Sequence, residues 1–342
     1  MRPASSPLVL NPAQQLLKRL TTIKAKEPKL TVGLDIGSTS IKVIGLGARK
    51  GLGGRPVIGQ SLITLSEGVE VSEAIKQAIG AIKVPVRSVN LSVRGQWVVR
   101  RIVELPSLKP AEMKQALPFE AQRYLPFNIQ DVVIDGVVLG PSDAQKTWVL
   151  IVACKKELID RRLDGIKRAG LDATLIDVDA LALANALLSG ANGHRAEETR
   201  VLINVGAQFT NLLIFKGDIP YLVRDIPWGA EKLCRSASDQ LGLDVAAVSK
   251  TLTESTASPE LQNALKLATE MLVTELQLSF DYFENRFGQP PEQLLISGGL
   301  GQSALFIDVL KSHLSQTVTS WTPVRGLSAQ FAIAYGLALR TD

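Results

Sequence analysis

The stretch GLDIGSTSIKVIGL, residues 33–46, has a counterpart later in the chain, LINVGAQFTNLLIF at residues 202–215. In both, an apolar strand ends in a polar residue, an apolar residue and a glycine, and a second apolar strand follows after small or polar residues. The triplet DIG at 35–37 thus aligns with NVG at 204–206. Because each copy opens a segment with an alternating α/β pattern, the repeat predicts an α/β protein with two related lobes.

Each turn of the repeat is a predicted phosphate site. Glycine removes the side chain, so that phosphate oxygens can reach backbone N–H groups. Ser38, Thr39 and Ser40 add hydroxyl donors to the first turn, and Lys42 adds a positive charge. Asp35, at the end of its strand, can hold a magnesium ion through water. The alternative is an ordinary tight hairpin, in which Gly-Ser-Thr is common. The predicted phosphate-binding residues are Asp35, Gly37, Ser38, Thr39, Ser40 and Lys42 in the first turn and Asn204, Gly206, Ala207 and Gln208 in the second.

A third motif, LLISGGLGQSALF at residues 294–306, runs from an apolar strand into a helix. The glycines after Ser297, at 298 and 299, would let a flat ring lie against the backbone, and the helix N-terminus offers N–H donors. By itself such a turn is typical of any α/β domain. Together with the two hairpins, Ser297, Gly298 and Gly299 predict the adenosine side of a nucleotide site. No Walker A loop, nucleophile elbow or H-E-x-x-H zinc motif accompanies them.

Composition excludes several other classes of protein. The 342 residues suffice for about two domains, and the 46% hydrophobic content supplies apolar cores. No apolar run approaches a membrane span and no secretory leader is evident, so a cytoplasmic protein is expected. Two cysteines, Cys154 and Cys234, and two histidines, His194 and His313, are too few for a zinc site. A net charge of +5 spread along the chain, with 5% aromatics, predicts no nucleic-acid partner.

Taken together, the three motifs resemble those of the actin, sugar-kinase and Hsp70-type ATPase superfamily over residues 30–340. The resemblance implies an actin-like fold of two lobes, with ATP and Mg²⁺ held between the phosphate motifs. It also implies two linking helices, at 179–188 and 327–340.

The middle of the chain carries a narrower resemblance. The runs FEAQRYLPFNIQDVVIDGVVLG (119–140) and VLIVACKKELIDRRLDGIKRAGLDATLIDVDALALANAL (149–187) resemble the PilM family of type IV pilus assembly proteins, whose architecture is similar to that of the cell-division protein FtsA. This implies a cytoplasmic ATP-binding platform that grips the N-terminal tail of a PilN-like inner-membrane protein. PilO, PilP and the pilus motor ATPases would be indirect partners, and the platform would lie at the cytoplasmic face of the inner membrane. A homodimer, and a role in type II secretion instead of the pilus, are left open.

The resemblance also implies a division of the chain. Its parts are an N-terminal arm (1–29), the first lobe (30–86), an inserted subdomain (87–160), a return to the first lobe with a linking helix (161–190), the second lobe (200–326) and a C-terminal linking helix (327–342).

The inserted subdomain contains an apolar and aromatic segment that a nucleotide site does not need. Phe119, Gln122, Arg123, Tyr124 and Phe127 are its predicted peptide-binding residues. The alternative is that the aromatic side chains form the core of the insertion. A proline at 118, within the predicted helix that follows residue 107, is expected to kink or split that helix.

One departure from the superfamily pattern bears on catalysis. Asn204 stands where the superfamily usually has Asp, and a neutral amide cannot supply an anionic contact to a metal. We therefore expect nucleotide binding with slow or absent hydrolysis. The alternative function is a small-molecule kinase or another ATPase of the same fold. Asp177, Asp179 and Asp225 are candidates for its catalytic carboxylate by position, although such residues more often cap helices and turns.

Overall fold

Two five-stranded sheets with the same strand order form the framework of the protein. The computed structural model describes residues 30–49, 54–66, 68–190, 198–254 and 257–341, so the arm predicted over 1–29 lies outside the described residues. The strands are β1 (Leu30–Ile36), β2 (Ser40–Gly47), β3 (Val57–Thr64), β4 (Ser88–Val93), β5 (Val98–Pro106), β6 (Val132–Pro141), β7 (Lys146–Lys155), β8 (Asp172–Val178), β9 (Thr199–Val205), β10 (Thr210–Lys216), β11 (Ile219–Ile226), β12 (Gln293–Gly298) and β13 (Thr317–Ser320).

The helices alternate with these strands. They are α1 (Val71–Gly80), α2 (Pro110–Gln122), α3 (Lys156–Arg168), α4 (Asp179–Leu188), α5 (Ala230–Leu241), α6 (Val245–Glu254), α7 (Pro259–Phe287), α8 (Ala304–His313) and α9 (Ala332–Leu339). Among the described residues, none of the helices has the length and apolar character needed to cross a bilayer.

The strand order confirms the duplication predicted from the repeat. The first sheet has the order β3-β2-β1-β4-β8 and the second has the order β11-β10-β9-β12-β13. In each, an antiparallel hairpin pair leads into parallel strands. The register is also the same, because Asp35 pairs with Lys42 in the first hairpin and Asn204 pairs with Asn211 in the second. The predicted two-lobed α/β fold is therefore confirmed.

The linking helices α4 and α9 pack directly against each other. A Cβ on Gly336 of α9 would lie 1.8 Å from the carbonyl oxygen of Ala182 on α4. On the other side of α9, a Cβ on Gly33 of β1 would lie 1.9 Å from the carbonyl oxygen of Ala334. Only glycine permits backbones to approach so closely, so α9 fits between β1 and α4. The predicted helix over 327–340 begins later than expected, since residues 329–331 form a 3₁₀ turn before α9.

Side chains of the first lobe hold the end of α9. The amide of Asn90 on β4 donates to the carbonyls of Leu337 (2.8 Å) and Arg340 (2.9 Å). The hydroxyl of Thr31 on β1 donates to the carbonyl of Ala338 at 2.5 Å. These bonds satisfy carbonyls that a helix end leaves without intrahelical partners.

The inserted subdomain is a three-stranded sheet, β5-β7-β6, covered by α2. It begins later than the predicted residue 87, because β4 pairs with β1 and β8 of the first sheet. Helix α2 runs through Pro118 without a break. Of the two predicted effects of this proline, a kink or a split, the split is therefore wrong, and the kink stays a prediction. The carbonyl that Pro118 leaves without an N–H donor belongs to Lys114, an exposed residue that water can reach.

The insertion also packs against the second lobe. Leu139 and Trp148 of the insertion share an apolar cluster with Tyr221 of β11 and Phe287 of α7. The rings of Trp148 and Tyr221 meet edge to face, with centroids 5.9 Å apart. The insertion therefore leaves the first lobe and contacts the second, beside the gap between them.

Candidate functional site

The turns of the two repeated hairpins have the same hydrogen-bonded geometry. The N–H of Gly37 donates to the carbonyl of Ser40 at 2.9 Å, and the N–H of Gly206 donates to the carbonyl of Phe209 at 3.0 Å. A Cβ on Gly37 would lie 2.5 Å from that Ser40 oxygen. Gly37 is therefore required for its turn to close. The remaining residues of each turn lie beyond the ends of the two strands that the turn joins.

Both turns line one cleft between the lobes, which encloses about 490 Å³ including space open to solvent. The third motif reaches the same cleft. All of the predicted nucleotide-binding residues line it except Ser40, at the start of β2, and Ser297, which is fully buried beneath it. The lining residues are Asp35, Gly37, Ser38, Thr39, Lys42, Arg94, Asn204, Gly206, Ala207, Gln208, Phe209, Asn211, Gly298, Gly299 and Ile333.

Charged side chains of the first lobe form the floor of the cleft. Lys42 Nζ lies 3.2 Å from Asp35 Oδ2, on the neighbouring strand. Arg94 Nη1 lies 3.9 Å from Asp35 Oδ1 and 3.7 Å from Asp179 Oδ2, and so stands between two carboxylates. The hydroxyl of Ser92 donates to Asp179 Oδ1 at 2.5 Å. Among the described residues that line the cleft, the cations of Lys42 and Arg94 and the hydroxyl groups of Ser38 and Thr39 accompany one carboxylate, that of Asp35. This set suits a polyanionic ligand.

Burial perturbs the ionisation of this floor. It raises the pKa of Asp179 to about 6, although the charge of Arg94 acts in the opposite direction. Burial lowers the pKa of Arg94, but the carboxylates of Asp179 and Asp35 outweigh that effect and raise its pKa overall. Asp179 Oδ2 is buried and has no hydrogen-bond partner among the described residues. Arg94 therefore keeps its charge next to a carboxylate that is incompletely satisfied.

The side chains of the cleft show whether it could hold a magnesium ion by itself. Within the described ranges, no three His, Cys, Asp or Glu side chains cluster as a metal site. Asp35 already contacts two cations, Lys42 and Arg94. These residues fit a magnesium ion that arrives with a nucleotide and is held through water, and they do not form a metal site of their own.

A chain of buried polar side chains runs from the cleft to the insertion. Ser297 Oγ donates to Asn204 Oδ1 (3.1 Å), and Asn204 Nδ2 donates to Asn211 Oδ1 (3.1 Å). Asn211 Nδ2 donates to Asp225 Oδ1 at 2.8 Å. Asp225 Oδ2 in turn lies 2.5 Å from Arg100 Nη2, on β5 of the inserted sheet. Both the oxygen and the nitrogen of the Asn204 side-chain amide therefore take part in this hydrogen-bond network.

The two glycines of the third motif have different roles. Gly298 has a positive φ of 83°, and a Cβ there would lie 2.3 Å from the carbonyl oxygen of Val205. A Cβ on Gly299 would meet none of the described atoms within 4 Å. The fold therefore requires glycine at 298, whereas Gly299 opens the surface of the cleft.

A second cavity adjoins the second turn. It shares Ala207 and Gln208 with the cleft and extends to Glu231, Lys232 and Arg235 of α5. Helix α5 begins directly on the turn, since the N–H of Glu231 donates to the carbonyl of Ala207 at 2.9 Å. A ligand that extends beyond the second turn would enter this cavity.

The sequence did not single out several of these residues. Asn211 could have been found by extending the repeat, because it occupies the position of Lys42 in the second hairpin. Arg94 had no comparable signal, since it follows β4 outside any motif and reaches the cleft only through the fold. The same holds for Lys232 and Arg235 on α5.

The predicted peptide-binding residues lie at the outer end of α2 and just beyond it. Phe119 is 76% exposed and Tyr124 is 37% exposed, so Phe119 is not part of the insertion core. Gln122 is exposed, and Arg123 pairs with Glu120 at the surface. Phe127 lies under a cation, with Lys155 Nζ 4.7 Å from its ring centroid. The core of the insertion is filled instead by Leu105, Met113, Leu117, Ala121, Val149 and Ile151.

A family model described as type IV pilus assembly protein PilM matches residues 33–342. The chain belongs to the PilM family. The match includes both hairpin turns, the insertion and the last helix. It therefore bears out the resemblance that residues 119–140 and 149–187 carry in the sequence.

Solved structures agree with this PilM-family assignment at the level of the fold. One similar structure is a PilM–PilN type IV pilus biogenesis complex, with a TM-score of 0.80 and 22% identity over 91% of this chain and 98% of that one. The ethanolamine utilization protein EutJ from Carboxydothermus hydrogenoformans gives a TM-score of 0.54 at 12% identity, covering 96% of this chain and 99% of its own. A ROK family glucokinase from Streptomyces griseus gives 0.50 at 14% identity, covering 90% and 98%.

Proposed function

We propose that this PilM-family chain is an ATP-binding scaffold of the type IV pilus platform that holds the cytoplasmic tail of a PilN-like inner-membrane protein. The observation that carries the nucleotide half of the proposal is the cleft. It brings two duplicated hairpin turns and a glycine turn face to face, with Lys42 and Arg94 at its floor. Two hairpins that do not share a ligand would not be expected to line the same cleft.

In the proposed complex, the phosphates of ATP lie between the two turns. Ser38 and Thr39 are exposed and line the cleft, so their hydroxyl and backbone N–H groups can reach phosphate oxygens. The ribose and base would extend past Gly299 and Ala207 toward the adjoining cavity on α5. When bound with the nucleotide, Mg²⁺ would supply positive charge beside the phosphates, with Asp35 holding its water.

Hydrolysis is expected to be slow in this scaffold. Asn204 replaces the usual carboxylate, and its amide is engaged by Ser297 and Asn211. The kinase alternative would depend on Asp179, a buried carboxyl group in the cleft region with a pKa raised to about 6. Asp179 is held by Ser92 and lies beside Arg94, an arrangement that suits an electrostatic support as well as a base. A turnover above about 1 per second would favour the enzyme over the scaffold.

The insertion supports the partner half of the proposal. Phe119 exposes a large aromatic side chain that the core does not use, and exposed aromatic anchors of this kind carry much of the energy in protein interfaces. The similar solved structure is a complex of PilM with PilN. By extension, the chain would reside in the cytoplasm at the inner membrane through this partner, with PilO, PilP and the motor ATPases as indirect contacts. Self-association is compatible with the same scaffold role.

Two titrations test the proposal. Isothermal calorimetry with Mg-ATP should give a Kd in the micromolar range, about −7 to −9 kcal/mol, and Lys42→Ala should weaken it. The exposed Lys250→Ala on α6 is the matched control and should bind as the parent does. Absence of heat and of any thermal shift at millimolar Mg-ATP would contradict nucleotide binding.

The second titration uses a synthetic peptide with the sequence of the cytoplasmic tail of a PilN-like inner-membrane protein. Arg123→Glu and Gln122→Ala should weaken peptide binding, because both side chains are exposed next to Phe119 and neither supports the core. Retention of parental affinity by both variants, with ATP binding intact, would show that this face is not the peptide site.

A further inference from the structure

Arg94 occupies the chain segment that joins the first lobe to the insertion. Strand β4 of the first sheet ends at Val93, and β5 of the inserted sheet begins at Val98. Arg94 is thus the first residue of a four-residue connection, and it is also the residue of that connection that lines the cleft. If its backbone moves, the segment that attaches the insertion to the first lobe moves with it.

The contacts that hold Arg94 are individually weak. Its Nη1 stands 3.9 Å from Asp35 Oδ1 and 3.7 Å from Asp179 Oδ2, both beyond hydrogen-bond distance. Its Nη2 donates a long bond of 3.3 Å to the carbonyl of Ile36, which Arg162 Nη2 also approaches at 3.4 Å. A guanidinium forms shorter, paired bonds with a phosphate group, so a phosphate in the cleft can compete for Arg94.

The other end of the connection touches the predicted partner surface. The N–H of Lys155, where β7 leaves the insertion, donates to the carbonyl of Trp97 at 3.1 Å. The ammonium of Lys155 lies 4.8 Å from the ring centroid of Trp97 and 4.7 Å from that of Phe127. Arg161 stacks on the same Trp97 ring at 4.8 Å. Trp97 therefore links the connection to Phe127 through one cation.

We propose that Arg94 binds the terminal phosphate of a nucleoside triphosphate and moves away from Asp35 and Asp179 when it does so. This movement shifts the connection, including Trp97. The peptide surface at Phe127 therefore responds to the nucleotide bound in the cleft. This inference rests on the proposed nucleotide binding and adds that Arg94 distinguishes a bound triphosphate from a diphosphate. A diphosphate lacks the group that Arg94 would contact, so the diphosphate leaves the connection in its present arrangement. The coupling acts in both directions, because two ligands linked through one equilibrium affect each other equally.

Calorimetric titration of the full chain with Mg-ATP and Mg-ADP tests the first step. The parent should prefer ATP over ADP by about tenfold or more, and Arg94→Gln should reduce that ratio to about one while its affinity for ADP stays within about threefold of the parent. Retained ADP binding shows that the variant is folded. Arg94→Lys should recover part of the ratio, because lysine keeps the charge and loses the paired donors.

Arg162→Gln is the matched control. Arg162 approaches the same Ile36 carbonyl and belongs to the same charge cluster, but it does not line the cleft as the structure describes it. Its ATP to ADP ratio should equal that of the parent.

Hydrogen exchange tests the second step. With ATP, and not with ADP, the amides of Val98 and Lys155 should change their protection in the parent, and this difference should vanish in Arg94→Gln. The tail peptide should bind with an affinity that differs between the ATP and ADP complexes of the parent and is the same in those of the variant.

Four outcomes overturn the inference. A parent that binds ATP and ADP equally, or an Arg94→Gln variant that keeps the parental ratio, removes Arg94 as the sensor while nucleotide binding stands. An unchanged exchange pattern in the parent removes the coupling. If the parent binds neither nucleotide, the proposed function fails first and the inference falls with it.

Discussion

The guanidinium of Arg100 lies 2.5 Å from the carboxylate of Asp225, and both side chains are more than 90% buried. Arg100 belongs to β5 of the insertion and Asp225 to β11 of the second lobe, so this ion pair joins two parts of the molecule that are distant in sequence. Asp225 also accepts a hydrogen bond from Asn211, which lines the cleft. The insertion is therefore anchored to the lobe that carries the second phosphate turn.

Removal of one partner of this pair should be costly. Arg100→Met leaves Asp225 buried without its cation, and we expect the free energy of unfolding to fall by about 3–5 kcal/mol. The double variant Arg100→Met with Asp225→Leu should recover most of that loss, since it leaves no unpaired charge. Urea denaturation measures both. Glu73→Ala, which breaks an exposed pair with Lys76, is the control and should cost less than about 1 kcal/mol.

The adjacent glycines 298 and 299 should respond differently to substitution. Gly299→Leu should leave the free energy of unfolding within about 0.5 kcal/mol of the parent, because its Cβ meets open space at a helical φ of −59°. Its side chain would enter the cleft, and calorimetry should show ATP binding weakened by about tenfold or more. Gly298→Ala should instead destabilise the fold by about 1–3 kcal/mol, because of its positive φ and its contact with Val205. Tight ATP binding by Gly299→Leu would contradict the placement of the nucleotide.

Asp179 should make stability depend on pH. Its folded pKa of about 6 lies above the ordinary value of 3.8, so between these values the folded protein binds more protons than the unfolded one. The free energy of unfolding should therefore decline as pH rises from about 4 to about 6, by about 1.4 kcal/mol for each unit by which the two pKa values differ.

Asp179→Asn keeps the acceptor for Ser92 and should remove this decline, as measured by urea denaturation across that pH range. The exposed Asp164→Asn should retain the parental profile. An unchanged slope in Asp179→Asn would assign the proton uptake to another group.

Asn204→Asp should destabilise the apoprotein before it alters catalysis. Asn204 Nδ2 donates to Asn211 Oδ1, and a carboxylate at 204 would place two acceptors against each other near the charge of Asp225. We expect a loss of about 1–3 kcal/mol in urea denaturation, whereas the exposed Asn263→Asp on α7 should change stability by less than about 0.5 kcal/mol. A variant as stable as the parent, with faster ATP hydrolysis, would mean that the site accepts an acidic residue at 204 after all.

The parts of the cleft that are built from residues adjacent in the sequence could be predicted. Glycine, small hydroxyl residues and strand-end polar residues follow each other within a few positions, and the duplication placed Asp35 and Asn204 at matching points of two sheets. The network beyond Asn204 was not predictable, because Asp225 and Arg100 meet only when the insertion packs on the second lobe. The start of the insertion was misplaced for the same reason, since the apolar pattern of β4 does not reveal which strands it pairs with.

The placement of α9 has a consequence for biosynthesis. Thr31 and Asn90, both in the first lobe, bond to carbonyls of Ala338, Leu337 and Arg340, which follow them by about 250 to 307 positions in the sequence. Strand β1 is therefore completed by a helix that is made much later, since 307 positions separate Thr31 from Ala338. The side of the sheet that α9 covers stays open until α9 has been synthesised. An exposed apolar sheet face in a nascent chain invites aggregation. We expect newly made first lobes to need protection by chaperones until α9 has emerged, and truncation within α9 to release both lobes from their folded state together.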